Sequence, residues 1–136
     1  MPIIDVAVTG KPNPALSQRI AQQVTELTKS HLHKDPTVTA VAVTFIDPEH
    51  WFVGGKSLAS EGVNTFWLDI KVTSGTNTKQ ELANYIEDIF AELGGTLGKT
   101  HEVSYVMVHE VPAPAWGFGG KTQEFRFISG KLKLAA

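Results

Sequence analysis

Two stretches of this sequence, VAVTFIDPEHWFVGG (residues 41–55) and VMVHEVPAPAWGFGG (residues 106–120), align with each other without a gap. Both begin with the alternation of apolar and other side chains that is typical of a half-buried β-strand. Both end in the pattern Trp-x-x-Gly-Gly, and the glycine pair is typical of a tight turn. The repetition indicates that the chain contains two copies of one structural unit.

A strand and a helix are predicted ahead of the first stretch. Residues 3–8 alternate like a strand, and Asn13 followed by Pro14 is the pattern of a helix N-cap and first helical position. This helix is predicted to end near His31, and the strand that follows it is predicted over residues 39–45. The helix has an apolar stripe that consists of Leu16, Ile20, Val24 and Leu27.

The second half repeats this order. Residues 65–72 alternate like a strand, and Thr78 with Glu81 forms a capping-box pattern at the start of a helix. The glycine pair at 94–95 predicts the end of that helix, and a returning strand is predicted over residues 105–110. The predicted apolar stripe of the second helix consists of Leu82, Ile86, Phe90 and Leu93.

The expected fold is α+β, built from two tandem β-α-β units. Parallel strands joined through a helix need a right-handed crossover, so both helices should lie on one face of a shared four-stranded mixed sheet. We expect a single domain over residues 1–136, with unit one at about 2–60, unit two at about 64–125 and a C-terminal tail at 126–136.

The other face of this sheet is predicted to lack a cover within the chain. Its mixed residues are Ile3, Asp5, Ala7, Trp67, Asp69 and Lys71. Tryptophan is costly to leave in water, and further copies of the same chain are the simplest cover. The sequence therefore predicts a closed homo-oligomer.

Composition excludes several classes of function. The chain has 136 residues, no cysteine and a formal net charge of -2. Thiolate metal sites and cysteine nucleophiles are excluded, and the absence of a basic run argues against nucleic acid as a partner. The five histidines lack metal-ligand spacing. No apolar run reaches membrane-spanning length and no leader pattern is present, so we expect a cytoplasmic protein without a metal or membrane partner.

The Met1–Pro2 start has a chemical consequence. A start methionine followed by proline is normally removed, and this would leave Pro2 as a free secondary amine. An α-amino group has a reference pKa of about 8. An apolar pocket with nearby cations lowers that pKa further, so the amine could act as a general base at neutral pH. The alternative is that Pro2 merely begins a strand.

The terminal Pro2, the β-α-β units and the WFVGG and WGFGG endings together resemble the tautomerase superfamily over about residues 2–125. Its two-unit members are trimers. The resemblance implies a trimeric, cofactor-independent keto–enol tautomerase that acts on a small 2-keto or 2-hydroxy-dienoate-type acid. Pro2 matches the catalytic proline of the family.

The resemblance also implies four substrate-binding residues. Lys34 matches a lysine beside the proline, and Tyr105 matches a tyrosine that a neighbouring subunit supplies. Trp116 matches an aromatic wall of the site, which we expect to serve Pro2 of a neighbouring chain, and Lys11 falls near a family arginine. Taken alone, Lys34 could be a solvated cation at a helix end, and Tyr105 and Trp116 could pack in an interface.

The chain departs from the family pattern at three positions. Ala42 and Tyr105 stand where a second-strand arginine polarises the substrate carboxylate. Phe66 stands where unit two would need a proline, so one unit per chain can carry the amine. Further candidates for a substrate carboxylate are Lys71, Lys121 and Arg126.

Two alternatives to a tautomerase stay open. The first is hydration or dehalogenation of an unsaturated or halogenated acid, which needs a carboxylate to activate water. No such carboxylate is evident in the sequence. The second is a non-enzymatic binding protein that keeps the fold with an idle site.

Overall fold

The structure, a computed structural model, describes residues 1–135. The strands are β1 (Ile3–Thr9), β2 (Ala40–Ile46), β3 (Phe52–Val53), β4 (Lys56–Ser57), β5 (Phe66–Thr73), β6 (Tyr105–Val111), β7 (Gly117–Phe118) and β8 (Lys121–Thr122). The helices are α1 (Pro14–Leu32), α2 (Leu58–Glu61), α3 (Lys79–Leu97) and α4 (Gln123–Ala135). Three short 3₁₀ turns lie between them.

Four strands form the predicted mixed sheet, in the order β2-β1-β5-β6. β1 is parallel to β2 and β5 is parallel to β6, whereas β1 and β5 meet antiparallel at the centre. In that central pair Asp5 lies opposite Asp69, the residue that occupies its place in the second unit. The α+β fold and the pair of β-α-β units are confirmed.

The helices α1 and α3 pack against each other and against the same face of the sheet, as predicted. The apolar side chains of β1 and β5 on this face are fully buried because the helices cover them. The buried core consists of Ile4, Val6, Val8, Phe66, Leu68, Ile70 and Val72 from the sheet, Ile20, Val24 and Leu32 from α1, and Tyr85, Ile89 and Leu93 from α3.

The buried stripe of α3 differs from the prediction. Tyr85, Ile89 and Leu93 are fully buried, whereas Ile86 is 40% exposed. The Tyr85 hydroxyl lies 2.8 Å from Thr28 Oγ1 of α1, so the phenol has a polar partner inside the core. That contact between the helices allows the polar end of a tyrosine to be buried. Tyr85 therefore faces the core in place of the predicted Ile86.

The end of α3 also differs from the prediction, since the helix continues through the glycines at 94–95 to Leu97. A helical glycine costs about 1 kcal/mol relative to alanine. Contacts from other segments offset that cost, because Asn64 Nδ2 donates to Leu97 O at 2.7 Å. Gly98, at φ 85° and ψ -141°, then ends the helix in a conformation that glycine adopts without a steric penalty, and its N–H donates to Gly94 O at 3.1 Å.

A small hairpin follows the last strand of each unit, β3–β4 in the first and β7–β8 in the second. The turn residues are Gly54–Gly55 and Gly119–Gly120, all with φ between 59° and 79°. Two consecutive positive φ angles require glycine in a two-residue hairpin turn. The WFVGG and WGFGG stretches are therefore turn sequences, and their equivalence supports the duplication.

The units differ after these hairpins. The first hairpin leads into the single-turn helix α2, and the second leads into α4, a helix of 13 residues. The described part of the predicted tail, residues 126–135, thus belongs to a helix that begins at Gln123. Within residues 1–135, none of the helices combines the length and the apolar character needed to cross a membrane.

Candidate active site

A cavity of about 720 Å³ opens at the end of the sheet where β1 begins. Met1, Lys34, the loop at residues 73–76 and the first two turns of α4 line it. These segments meet because β1 begins beside the end of the antiparallel β5 and α4 follows the hairpin after β6. The cavity brings the chain terminus together with residues from both units.

The terminal amine is held in this cavity in a partly buried position. Burial lowers the pKa of the Met1 α-amino group, the positive charge of Lys34 lowers it further, and Asp35 acts in the opposite direction. Pro2 is buried, and its carbonyl accepts a hydrogen bond from the Ala40 N–H at 3.1 Å. Removal of Met1 would place the free amine on a residue that the sheet already holds.

Lys34 reaches the cavity from the end of α1. His33 ends the helix with φ at 59°, and its Nε2 lies 2.9 Å from Glu81 Oε2. Lys34 Nζ donates to Thr76 Oγ1 at 2.8 Å. Burial lowers the pKa of the Lys34 ammonium, while the carboxylates of Glu81 and Glu110 favour its charged form. The structure brings Lys34 and the terminal amine into one cavity, and its substrate role stays a prediction.

Arg126 lies in the same cavity, on α4. Its guanidinium stacks over the Phe118 ring at 3.7 Å, and Nη2 donates to Phe118 O at 3.0 Å. Nε is buried with no hydrogen-bond partner among residues 1–135. From its sequence position, Arg126 is one of three candidate cations for a substrate carboxylate, with Lys71 and Lys121. Its placement depends on the packing of α4, which the residue pattern could not determine.

Glu124 is a cavity residue that the sequence analysis did not identify. It lies in the first turn of α4, where a carboxylate is commonly found because it complements the helix dipole. The sequence therefore gave no reason to assign this carboxylate to a site. Its presence supplies the acidic group that the hydration alternative lacked.

Trp116 lies at the same end of the sheet as Met1. Gln123 N donates to Trp116 O at 3.0 Å, and Gln123 Nε2 lies 3.5 Å from Met1 O. Trp116 Nε1 is buried without a hydrogen-bond partner in the described part of the chain. Trp116 lines a separate pocket together with Pro114 and Lys121, and its role toward Pro2 of a neighbouring chain stays a prediction.

Tyr105 and Lys11 lie at the opposite end of the sheet. Tyr105 pairs with Trp67 at the start of β6 and is 59% exposed. A second pocket of about 550 Å³ lies there, lined by Tyr105, Trp67 and the unit-one residue Trp51. Lys11 follows the end of β1 that is remote from Pro2. A role for Tyr105 or Lys11 beside Pro2 therefore requires a neighbouring chain.

The open face of the sheet combines paired charges with exposed apolar side chains. Lys71 Nζ lies 3.3 Å from Asp69 Oδ1, and His109 Nε2 lies 3.0 Å from Asp69 Oδ2. Ile3 is 49% and Met107 is 40% exposed beside them. Within residues 1–135, no group of His, Cys, Asp or Glu side chains is arranged to hold a metal ion.

No family model matches the chain. A curated relative, a probable transcriptional regulatory protein of Wolbachia pipientis wMel, is 30% identical over 105 residues, which are 76% of this chain. The chain spans 41% of the length of that relative.

Solved structures share the fold of the chain over nearly their whole length. F6 fused 4-OT, an asymmetric trimer, has a TM-score of 0.76 at 14% identity, covering 91% of this chain and 98% of its own. The macrophage migration inhibitory factor-like protein of Entamoeba histolytica has a TM-score of 0.73 at 19% identity, and the match covers 89% of this chain and 97% of that protein. N1, a member of the cis-3-chloroacrylic acid dehalogenase family, has a TM-score of 0.72 at 20% identity, and the match covers 92% of this chain and 90% of that protein.

Proposed function

We propose that this chain, which has the fold of the tautomerase superfamily, is a cofactor-independent keto–enol tautomerase acting on a small 2-keto or 2-hydroxy-dienoate-type acid. The observation that carries the proposal is the partly buried terminal amine beside Lys34 in a cavity. After removal of Met1, the amine of Pro2 is the general base. A neutral amine held by the fold can accept a proton and return it without a cofactor.

The proposed reaction is an isomerisation in which one proton moves from an oxygen to a carbon of the substrate. The Pro2 nitrogen takes the proton from the enol hydroxyl, and the electron pair moves to form the carbonyl and a carbanion-like carbon. The Pro2 ammonium then delivers the proton to that carbon. Lys34 donates to the oxygen on which negative charge develops, since fixed donors in a dry site stabilise such charge strongly.

The proposed assembly is a homotrimer with shared sites. F6 fused 4-OT is an asymmetric trimer, and the open sheet face of this chain exposes Ile3, Tyr105 and Met107. Covering that face with copies of the chain would carry Tyr105 and Lys11 to the terminus of a neighbour. The role of Trp116 as an aromatic wall beside Pro2 of a neighbouring chain belongs to the same proposal.

The test is a panel of enol acids, with ketonisation followed by the loss of enol absorbance. We expect turnover by the wild-type protein and a large loss in Pro2→Ala, which keeps a primary amine on the same backbone. Mass spectrometry of the N-terminus is the companion measurement. A retained Met1, or full activity in Pro2→Ala, would contradict the proposal and favour a non-enzymatic binding protein.

Glu124 supports a second candidate, hydration of an unsaturated acid in the same cavity. Glu124 would take a proton from water, the hydroxyl oxygen would bond to the β-carbon, and a Pro2 ammonium would protonate the α-carbon. This order needs the amine in its acid form, whereas burial and the charge of Lys34 lower the pKa of the Met1 amine in this cavity. NMR of the products distinguishes a hydrated acid from a tautomer, and Glu124→Gln should abolish hydration.

The name of the Wolbachia relative supports no proposal of nucleic-acid binding. This chain spans 41% of that relative and has a formal net charge of -2. Nucleic-acid binding draws most of its affinity from clustered cations that neutralise phosphates. The two cations of the cavity, Lys34 and Arg126, instead share it with Glu124.

A further inference from the structure

Arg126 has hydrogen-bonding capacity that residues 1–135 leave unused. Its recorded hydrogen bond runs from Nη2 to Phe118 O, Nε is buried without a partner, and Arg126 is in none of the ion pairs of the described residues. A partly buried guanidinium without an anionic partner is costly, and a carboxylate in the cavity would offset that cost. The stacking on Phe118 fixes the plane in which such an anion must lie.

The charges around the cavity favour one carboxylate over two. Among the side chains that line the cavity, Lys34 and Arg126 are cations and Glu124 is an anion, while the carboxylates of Glu81 and Glu110 act on Lys34 from outside the lining. The lining side chains therefore carry an excess of one positive charge, which one carboxylate neutralises. A second carboxylate in the same cavity would meet Glu124, and like charges at short range are strongly unfavourable.

Two further residues of α4 give the cavity an apolar wall. Phe127 is 63% and Ile128 is 51% exposed, and both line the cavity. Exposed aromatic and aliphatic side chains within a cavity gain free energy when an apolar group covers them. The body of a bound acid can provide that cover while its carboxylate reaches Arg126.

We propose that α4 selects the substrate: Arg126 binds a single carboxylate, Glu124 excludes a second carboxylate, and Phe127 with Ile128 receives an apolar body. The substrate class is thus a monocarboxylic 2-keto or enol acid with an apolar substituent, and dicarboxylic acids are disfavoured. This inference rests on the proposed function, because it concerns the same cavity. It assigns to α4 the binding of the substrate carboxylate, since Ala42 and Tyr105 stand where the family has a strand arginine.

Two glycines provide a matched pair of variants. A Cβ on Gly119 would lie 2.9 Å from Arg126 Nη2, whereas a Cβ on Gly120 would meet nothing within 4 Å. Their φ angles, +61° and +79°, impose similar backbone strain on alanine. Gly119→Ala therefore displaces the guanidinium, and Gly120→Ala controls for the strain of the hairpin turn.

The measurement is isothermal calorimetry with 3-phenylpropionate, a saturated monocarboxylic acid that cannot tautomerise. A hydrogen bond to a charged group contributes roughly 1.5–3 kcal/mol, so Arg126→Met and Gly119→Ala should each weaken binding about tenfold or more. The dissociation constant of Gly120→Ala for 3-phenylpropionate should stay within about twofold of the wild-type value. Equal weakening in both glycine variants, or unchanged binding in Arg126→Met, overturns the role of Arg126.

Adipate, a saturated dicarboxylic acid, tests the role of Glu124. We expect wild type to bind 3-phenylpropionate more tightly than adipate. Glu124→Gln should bring the two dissociation constants closer together. If Glu124→Gln leaves the ratio of the two dissociation constants unchanged, the exclusion of a second carboxylate by Glu124 is wrong. Circular dichroism of each variant confirms that the fold is retained.

The calorimetric experiment is independent of turnover, so its failure can be separated from that of the proposed function. A protein that binds 3-phenylpropionate through Arg126 but converts none of the enol acids contradicts the tautomerase and supports the binding role of α4. A protein that converts enol acids while its acid binding ignores Arg126 supports the tautomerase and contradicts the selection by α4.

Discussion

At the scale of single residues, the terminal amine and Lys34 are electrostatically coupled. Burial is the main cause that lowers the amine pKa, and the positive charge of Lys34 is the second. A base is active when unprotonated, so the rate should rise with pH through the amine pKa. We expect Lys34 to act on the Pro2 amine, which removal of Met1 exposes, as it acts on the Met1 amine. Lys34→Met should therefore raise the amine pKa and move this rising limb to higher pH. NMR titration of the Pro2 nitrogen measures the shift directly.

Lys56→Met is the matched control for that titration, because Lys56 is exposed on the β3–β4 hairpin, away from Met1. The control should leave the amine pKa unchanged. An amine pKa that falls in Lys34→Met, or that moves equally in both variants, would contradict the coupling.

At the scale of elements, α1 and α3 are joined by one buried hydrogen bond. Thr28 Oγ1 donates to Val24 O at 2.7 Å, so the Tyr85 hydroxyl, 2.8 Å from Thr28 Oγ1, is the donor of their shared bond. Burial raises the pKa of Tyr85 to about 12, and the phenol stays neutral at ordinary pH. Tyr85→Phe should lower the free energy of unfolding by about 1 kcal/mol, the net value of one hydrogen bond.

Thr28→Val should cost more than Tyr85→Phe, because it leaves the buried Tyr85 hydroxyl without its acceptor. An unsatisfied buried donor costs about 1–3 kcal/mol. Thr28→Ser keeps the hydroxyl and is the control for changes in side-chain shape. Urea unfolding measures all three variants, and equal losses in Thr28→Val and Tyr85→Phe would show that the donor assignment is wrong.

At the scale of the whole molecule, assembly is predicted to occur on the open sheet face. Trp67 lies there beside Tyr105, while Ile3 and Met107 expose further apolar surface. Trp67→Arg places an unpaired charge in the proposed seam, and burying such a charge is strongly unfavourable. Sedimentation velocity should show a trimer for wild type and smaller species for Trp67→Arg. Gln22→Arg, on the exposed side of α1, should sediment as wild type, and a monomeric wild type would refute the assembly.

We predict that sites are shared between chains, because Tyr105 and Pro2 lie at opposite ends of the sheet of one chain. Loss of one enolate donor costs on the order of 3 kcal/mol at most, so Tyr105→Phe should lower turnover by up to about 100-fold. Trimers co-assembled from Pro2→Ala and Tyr105→Phe chains contain sites with both native groups and should regain activity. Absence of recovery despite proven subunit exchange would mean that Tyr105 does not serve a neighbour.

Local sequence determined the secondary structure apart from α4 and the end of α3, because strands, caps and turns depend on near neighbours. Alternation located the central strands, Asn13 and Thr78 capped α1 and α3 as expected, and the glycine pairs made the hairpin turns. The duplication then determined the sheet, since two right-handed β-α-β units that share one sheet bring both helices to the same face.

Tertiary structure alone decided the features that depend on contacts between distant segments. The Thr28–Tyr85 contact selected the buried side of α3, and the Asn64 amide supported its last turn. Packing of α4 beside the terminus placed Glu124 and Arg126 in the cavity. Their identities were visible in the sequence, but a side chain joins a site only when the path of the whole chain brings it there.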